Sequence, residues 1–137
     1  MIVDATNLIL GRMATEVAKK ALLGEKIDVV NCENAVISGN REQIFEKYRH
    51  KIKRGAPATG PFFPKTPERL VKRTIRGMLP YKQYKGKIAY KQIKCHAGIP
   101  EELKNEKFQT IEKANLEKLP NYRYITVSEL CKFLGGK

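Results

Sequence analysis

The chain has 137 residues, 42% of them hydrophobic, and carries 27 Lys and Arg residues against 14 Asp and Glu. This size suffices for one domain, residues 1–137, with a buried core, and the net charge of +13 favours a polyanionic partner, either nucleic acid or an anionic membrane. The sequence contains neither an apolar run of roughly 18 residues nor a leader pattern, which argues against a membrane-spanning or secreted protein. Three separated cysteines suit a reducing, cytoplasmic compartment.

The first third of the chain alternates strand and helix signals. Residues 2–4 predict a strand, 4–7 a turn and 8–23 a helix, with Asn7 as its N-cap and Gly24 as its stop. Residues 26–30 predict a second strand, 35–37 an apolar piece, and 40–53 a helix entered through Ser38, Gly39 and Asn40. Strand, helix, strand, helix indicates an α/β layer fold. The apolar residues at helical spacing are Leu10, Met13, Ala14, Val17, Ala18, Ala21 and Leu22 in the first helix, and Ile44, Phe45, Tyr48 and Ile52 in the second.

The remainder of the chain is more irregular. Residues 55–67 are dense in Pro and Gly and predict a loop. A helix follows, with Thr66 as its cap, Pro67 at its first position and Gly77 at its exit. Residues 86–92 predict a short helix, 93–96 a strand and 123–126 an extended segment, whereas 98–121 give no clear pattern. A capping box from Thr126 to Glu129 opens a final helix that runs through Leu134.

The positive charge is concentrated in one part of the chain. Residues 1–48 contain six basic and seven acidic side chains, and residues 95–137 contain seven and six, so these two parts cancel. Residues 49–94, named here the basic segment, contain 14 Lys and Arg residues and one acid, Glu68. A run of basic residues is often no more than a solvated face, but this concentration favours polyanion binding.

The helix after Thr66 gives that charge a geometry. Its cations recur at i, i+3, i+4 and i+7, so they share about a third of the helix circumference. Such like charges destabilise an isolated helix by a few tenths of a kcal/mol for each close pair, and an anionic partner would reverse this effect. We name these residues the α3 stripe: Arg69, Lys72, Arg73 and Arg76.

Aromatic residues and the start of the first helix give weaker indications. Each ring in the basic segment either packs in the core or stacks on an unpaired base, and Phe62 and Phe63 are the best candidates for stacking. Gly11 and Arg12 are compatible with close approach of another backbone and an anion site, or with ordinary helix packing. The other rings in the segment are Tyr81, Tyr84 and Tyr90.

Groups for catalysis or metal binding are sparse. His96 and Cys95 are adjacent on a predicted strand, so their side chains point to opposite faces and form no nucleophile–base pair. No other His or Cys stands at metal-ligand spacing, and neither a GxGxxG nor a P-loop motif occurs. We therefore expect no catalytic residue, no metal, no cofactor and no small-molecule substrate.

Several motifs together resemble one family. The motifs are residues 2–5 with 10–14, residues 29–31 with Ser38 and Gly39, the segment 60–63, the run Arg73-Thr-Ile-Arg-Gly-Met-Leu-Pro80 and the segment 98–100. Together they are similar to the universal L13 family of large-subunit ribosomal proteins, in its archaeal and eukaryotic branch. Tyr81 departs from the histidine that relatives often have. The resemblance implies a three-layer α/β/α fold with a small, mostly parallel sheet and a basic loop-helix segment. It also implies binding to large-subunit rRNA, neighbouring ribosomal proteins as partners, support of subunit assembly and translation, and no catalysis.

The resemblance and the charge together give a set of candidate RNA-binding residues. The family motifs imply Arg12, Arg73, Arg76, Gly77 and Lys85. Charge alone adds Arg49, Lys51, Lys53, Arg54, Lys65, Arg69, Lys72, Lys82 and Lys87.

Two other functions remain as alternatives. The first is an RNA-processing or nucleotide-using enzyme built on the βα opening, which turnover of RNA or nucleotide would reveal. The second is a membrane-surface module, which is disfavoured because the basic helix has no aromatic anchor of its own.

Overall fold

The first half of the computed structural model contains three strands and two long helices. The structure describes residues 1–136, and Lys137 lies outside the described residues. The strands are β1 (Ile2–Asp4), β2 (Ile27–Val30), β3 (Val36–Ser38), β4 (Ile93–Cys95) and β5 (Tyr124–Thr126). The helices are α1 (Leu10–Leu22), α2 (Arg41–Lys53), α3 (Pro67–Gly77), α4 (Tyr84–Lys91) and α5 (Val127–Phe133). Each predicted element is present, with ends that differ from the prediction by at most two residues.

The larger sheet is parallel and has the order β1-β2-β4. Val3 lies opposite Val29, and Ile27 lies opposite Ile93, and all four side chains are fully buried on one face. Strands β3 and β5 form a separate antiparallel pair. The prediction of a small α/β fold with a mostly parallel sheet is therefore confirmed.

Helix α1 buries the predicted face apart from Leu22, which is 45% exposed. Gly24 follows the helix with φ +97°, as expected for a C-terminal stop. The prediction that Asn7 caps this helix is wrong: Asn7 has φ 59°, and the cap position is Ile9. The main chain of Asn7 donates to Asn34 O and accepts from Leu116 N, so these tertiary bonds hold it away from the helix end.

The entrance predicted for α2 at Ser38 to Asn40 and the cap predicted for α5 are confirmed. Asn40 Oδ1 accepts a hydrogen bond from the Glu42 N–H at 3.0 Å, and Thr126 Oγ1 accepts from the Glu129 N–H at 3.2 Å. The two helices meet through the rings of Phe45 and Phe133, which stack with centroids 4.2 Å apart. This stack fixes the C-terminal helix beside α2.

Helix α3 begins at Pro67, as predicted. Thr66 occupies the N-cap position, but its side chain makes no capping hydrogen bond. Its backbone carbonyl accepts from the Leu70 N–H at 3.0 Å, whereas its hydroxyl makes no hydrogen bond within residues 1–136. Residues 55–66 contain no helix or strand, which confirms the predicted loop.

The segment without a clear sequence pattern forms short 3₁₀ turns, Glu101–Leu103, Glu112–Ala114 and Leu116–Lys118. Between them Gln109 lies against β1, with its carbonyl accepting from Asp4 N at 3.0 Å and its N–H donating to Ile2 O at 2.8 Å. This single residue covers the outer edge of β1. A pairing this short leaves no periodic pattern in the sequence.

Gly86 has a specific packing role in α4. The helix passes so close to the turn before it that a Cβ at Gly86 would collide with the carbonyl of Pro80 and lie 2.9 Å from Tyr81 N. The backbone of the 80–81 turn cannot be displaced as easily as a flexible side chain. Gly86 therefore sets how closely the turn and α4 approach each other.

We predict that Gly86→Ala destabilises the protein by about 1–3 kcal/mol, because overpacking outweighs the gain in helix propensity. Gly11→Ala is the matched control, because it lies in α1 and a Cβ there meets no atom within 4 Å. That substitution should stabilise the protein by about 0.5–1 kcal/mol. Urea unfolding of both variants measures the difference, and equal stability of the two would contradict the packing role of Gly86.

Candidate nucleic-acid interface

Helix α3 has one buried and one cationic side. Leu70, Val71 and Ile75 are at most 1% exposed and belong to the hydrophobic core. The Thr74 hydroxyl donates to Leu70 O at 3.0 Å and is thus occupied within the helix. The α3 stripe lies on the other side, with Arg69 and Arg73 exposed and Lys72 and Arg76 half-buried. The apolar contacts thus orient the four cations towards the surface.

Three cations of the stripe lie over aromatic rings. The Arg73 guanidinium carbon is 4.8 Å from the centre of the Phe63 ring, and that of Arg76 is 5.2 Å from the Tyr81 ring. Lys72 Nζ is 4.8 Å from the Tyr90 ring. Each such contact contributes about 0.5–1 kcal/mol at an exposed site and restricts the long side chain. The rings therefore hold the cations in place before any partner binds.

Phe63 also joins α2 to α3. Its ring packs edge-on against Tyr48 of α2 with centroids 5.7 Å apart, and Lys51 Nζ lies 4.9 Å from Tyr48 and 5.8 Å from Phe63. Burial lowers the pKa of Lys51, and the nearby positive charges of Lys47, Arg73 and Arg54 lower it further. An anion at this place would offset the repulsion that lowers this pKa.

The loop of residues 55–66 carries a further exposed ring. Phe62 is 72% exposed, and it lines a cleft of about 350 Å³ together with Lys53, Arg54 and Lys65. The loop is closed by reciprocal backbone hydrogen bonds between Ala56 and Gly60, at 3.2 and 2.9 Å. It thereby brings Lys65 near the end of α2, although ten residues separate Lys65 from Arg54 in the sequence.

Arg12 lies on a neighbouring part of the surface. It is exposed in the first turn of α1 and lines a cleft of about 500 Å³ with Tyr48, Thr74 and Met78. Thr15 Oγ1 lies 3.4 Å from Met78 Sδ, so α1 lies beside the end of α3. No part of the described chain packs closely on Gly11, because a Cβ built there meets no atom within 4 Å, so the anion-site interpretation of Gly11 and Arg12 stays a prediction.

The other predicted residues are exposed, but they do not all face the α3 stripe. Arg49 turns towards α5, where its guanidinium carbon lies 4.9 Å from the Phe133 ring and Nη1 lies 3.3 Å from Glu46 Oε1. Gly77 ends α3 in open space. Exposed lysines follow in the next turn and in α4: Lys82, Lys85 and Lys87.

Acidic side chains neutralise almost none of this surface. Residues 1–136 contain three ion pairs: Arg41 with Glu129 at 3.4 Å, Arg49 with Glu46, and His96 with Asp28 at 3.0 Å. Among the predicted basic residues, only Arg49 takes part in one. The remaining charge is therefore available to an external anion.

The cysteines and histidines do not form a catalytic group. His96 Nε2 lies beside Asp28 Oδ1, whereas Cys95 lies next to Cys32, so the predicted opposite orientation of the Cys95 and His96 side chains is present. A hydrogen bond with Cys95 and burial raise the pKa of the Cys32 thiol, and burial raises that of Cys131 to about 11. Both thiols are protonated at neutral pH and are poor nucleophiles.

Neither a metal cluster nor a membrane-spanning element is found in the described part of the chain. No three His, Cys, Asp or Glu side chains within residues 1–136 are placed to hold a metal ion. No helix among these residues has the length and apolar character needed to cross a bilayer.

Aromatic support of the cations was not apparent in the sequence. The sequence indicates Tyr48 only as part of the apolar face of α2. Tyr90 lies 18 residues from Lys72 in the sequence, although its ring faces the Lys72 ammonium group. The basic segment contains five aromatic residues beside its 14 cations, and this composition was the available signal. It does not indicate which ring lies under which cation.

Comparison with known proteins gives a consistent result. Residues 1–102 match the family model described as ribosomal protein L13. The chain is 46% identical to the large ribosomal subunit protein uL13 of Archaeoglobus fulgidus, over 98% of this chain and 86% of that one. It is 43% identical to the uL13 of Methanococcoides burtonii and 46% identical to that of Methanosarcina barkeri, each over 99% of this chain and 98% of the relative.

The free protein should gain stability from salt, because salt screens the repulsion within the cationic surface. The stripe contains four close like-charge pairs at about 0.2–0.5 kcal/mol each, so screening them should raise Tm by roughly 3–6 °C. Replacing all four stripe residues by Gln should remove most of this gain. The matched control replaces four exposed residues, Lys104, Lys107, Lys113 and Lys118, by Gln and should keep it. Calorimetry at low and high salt measures the rise in Tm of each variant. An equal rise in the stripe variant and the control would contradict the assignment of the repulsion to the α3 stripe.

Proposed function

Because this chain belongs to the ribosomal protein L13 family, we propose that it is a structural constituent of the large ribosomal subunit that binds rRNA through its basic segment. It supports subunit assembly and translation, and it is a structural protein, not an enzyme. Its partners are then large-subunit rRNA and neighbouring ribosomal proteins, and its location is the ribosome in the cytoplasm. The observation that supports the binding site best is the α3 stripe, whose four cations lack acidic partners among residues 1–136.

The stripe suits the backbone of RNA more than its sequence. Arg and Lys contacts to phosphate oxygens provide affinity and orientation, and they carry no sequence information. The guanidinium groups of Arg73 and Arg76 can each bind a phosphate with two parallel hydrogen bonds. Because aromatic rings already restrict these side chains, less conformational entropy is lost when the phosphate binds.

The cleft beside Phe62 suits an unpaired base. An exposed ring next to Lys53, Arg54 and Lys65 combines a stacking surface with phosphate-binding charge. Stacking of a base on an aromatic side chain contributes about 1–3 kcal/mol and tolerates any base. We therefore propose a single-stranded rRNA nucleotide at Phe62, next to the phosphate contacts of Lys51, Arg54 and Arg73.

Replacing Arg73 and Arg76 by Ala should weaken binding to large-subunit rRNA. With about six phosphate contacts, log affinity of the wild type should fall with log salt at a slope of roughly −4 to −5, and each lost contact should reduce this slope by about one. Filter binding over a range of KCl concentrations measures both quantities. Lys104→Ala with Lys107→Ala is the control. A wild-type slope near zero would exclude the proposed function. A normal slope in the Arg73/Arg76 variant would exclude only the α3 stripe as part of the binding site.

Phe62 and Phe63 offer a paired test of stacking against packing. Phe62→Ala should leave Tm unchanged, because the ring is 72% exposed, and should weaken rRNA binding by about 1–3 kcal/mol. Phe63→Ala should lower Tm, because that ring packs against the core and under Lys51 and Arg73. Thermal unfolding and filter binding of the two variants provide the comparison. Normal rRNA affinity of the Phe62 variant would remove that ring from the site.

A further inference from the structure

The sheet face opposite the core carries a second group of cations. Asp28 of β2 and Lys94 of β4 are register partners, so their side chains are neighbours on this face. Lys26 precedes β2, and Lys91 ends α4. Three lysines from two distant parts of the chain thus line one cleft of about 360 Å³, named here the lysine cleft. Its residues are Lys26, Asp28, Ile88, Lys91, Gln92 and Lys94.

The charge of the lysine cleft is only partly offset within the described chain, because three lysines face one acid. Lys26, Lys91 and Lys94 are exposed, and none forms an ion pair with residues 1–136. The single acid in the lining is Asp28, whose Oδ1 lies 3.0 Å from His96 Nε2. Lysine stems cover apolar surface while their ammonium groups stay in water, so the cleft combines an apolar floor with a positive rim.

The lysine cleft and the α3 stripe lie on opposite sides of α4. Tyr90 lines a groove of about 220 Å³ with the four stripe residues, and Ile88 lines the lysine cleft. These two positions are about 160° apart around a helix with 3.6 residues per turn. The outward face between them carries Lys87, Lys91 and Tyr84, which is 81% exposed. The positive surface therefore continues around α4 from one cleft to the other.

We propose that the lysine cleft binds backbone phosphates of the same rRNA, so that the RNA crosses α4 between the α3 stripe and the sheet face. This proposal rests on the proposed rRNA-binding function and extends the contact beyond the basic segment to Lys26. A helix is about 10–12 Å wide with its side chains, so an RNA strand can cross α4 within a few nucleotides. RNA is favoured over an acidic protein segment because the surface continues the stripe and because no aromatic anchor lines the cleft.

The test replaces Lys26, Lys91 and Lys94 together by Gln. Affinity of the full chain for large-subunit rRNA should fall by about tenfold, and the salt slope should lose roughly two to three units. The matched control removes three charges elsewhere, with Lys104→Gln, Lys107→Gln and Lys113→Gln, and should change neither quantity comparably. A variant with Arg at positions 26, 91 and 94 should recover both. We expect each variant to fold, because all the substituted side chains are exposed, and thermal unfolding checks this.

The outcomes separate this proposal from the one on which it rests. A wild-type protein without salt-dependent rRNA affinity would refute both. A salt-dependent wild type with an unchanged Gln variant would refute the lysine cleft alone. Normal rRNA affinity combined with loss of the Gln variant from salt-washed large subunits would also overturn the proposal, because it would assign the cleft to a neighbouring protein.

Discussion

The cationic surface depends on how firmly the opposite side of α3 is held in the core. Four close like-charge pairs oppose the helix by about 1–2 kcal/mol in total. Burial of Leu70, Val71 and Ile75 contributes about 1.5–3 kcal/mol for each side chain, which exceeds that repulsion several-fold. The core thus keeps together a set of charges that an isolated helix would not hold. The aromatic contacts of Phe63, Tyr81 and Tyr90 add to this and fix where the cations lie.

Local sequence signals predicted much of the fold. Caps at Asn40 and Thr126, the glycine after α1 and the proline at the start of α3 each act within one helical turn, so each can be read from neighbouring residues. The failures arose where distant parts of the chain decide the conformation. Asn7 has a good capping side chain, but main-chain bonds to Asn34 and Leu116 hold it in a left-handed conformation. Gln109 covers the β1 edge through a pairing of one residue, which is too short to produce a periodic hydrophobic pattern in the sequence.

For the candidate site, the sequence located the charge but not its arrangement. The spacing in α3 predicted the stripe correctly, because a helix converts sequence intervals into angles. It did not predict that Phe63 lies between Lys51 and Arg73, since that placement depends on how the loop of residues 55–66 folds back. It also did not predict the lysine cleft, where parallel pairing of β2 and β4 brings Lys26 near residues 91 and 94. The sequence thus predicted which side chains are neighbours within a helix, but not which side chains from different elements come into contact.

Under the proposed function, the acidic residues outside the basic segment affect how the protein would approach RNA. The segment of residues 95–137 carries six acids against seven basic residues, and the acids between 101 and 117 are all exposed, so that part of the surface has little net attraction for a phosphate backbone. The neutral total of this segment is thus useful, because a uniformly basic protein would bind RNA in many orientations. Unequal charge distribution orients the encounter, and correct register is favoured before any short-range contact forms. The pairing of Arg41 with Glu129 and of Arg49 with Glu46 weakens the positive field beside α5, which leaves α3 and α4 as the most attractive surface for a polyanion.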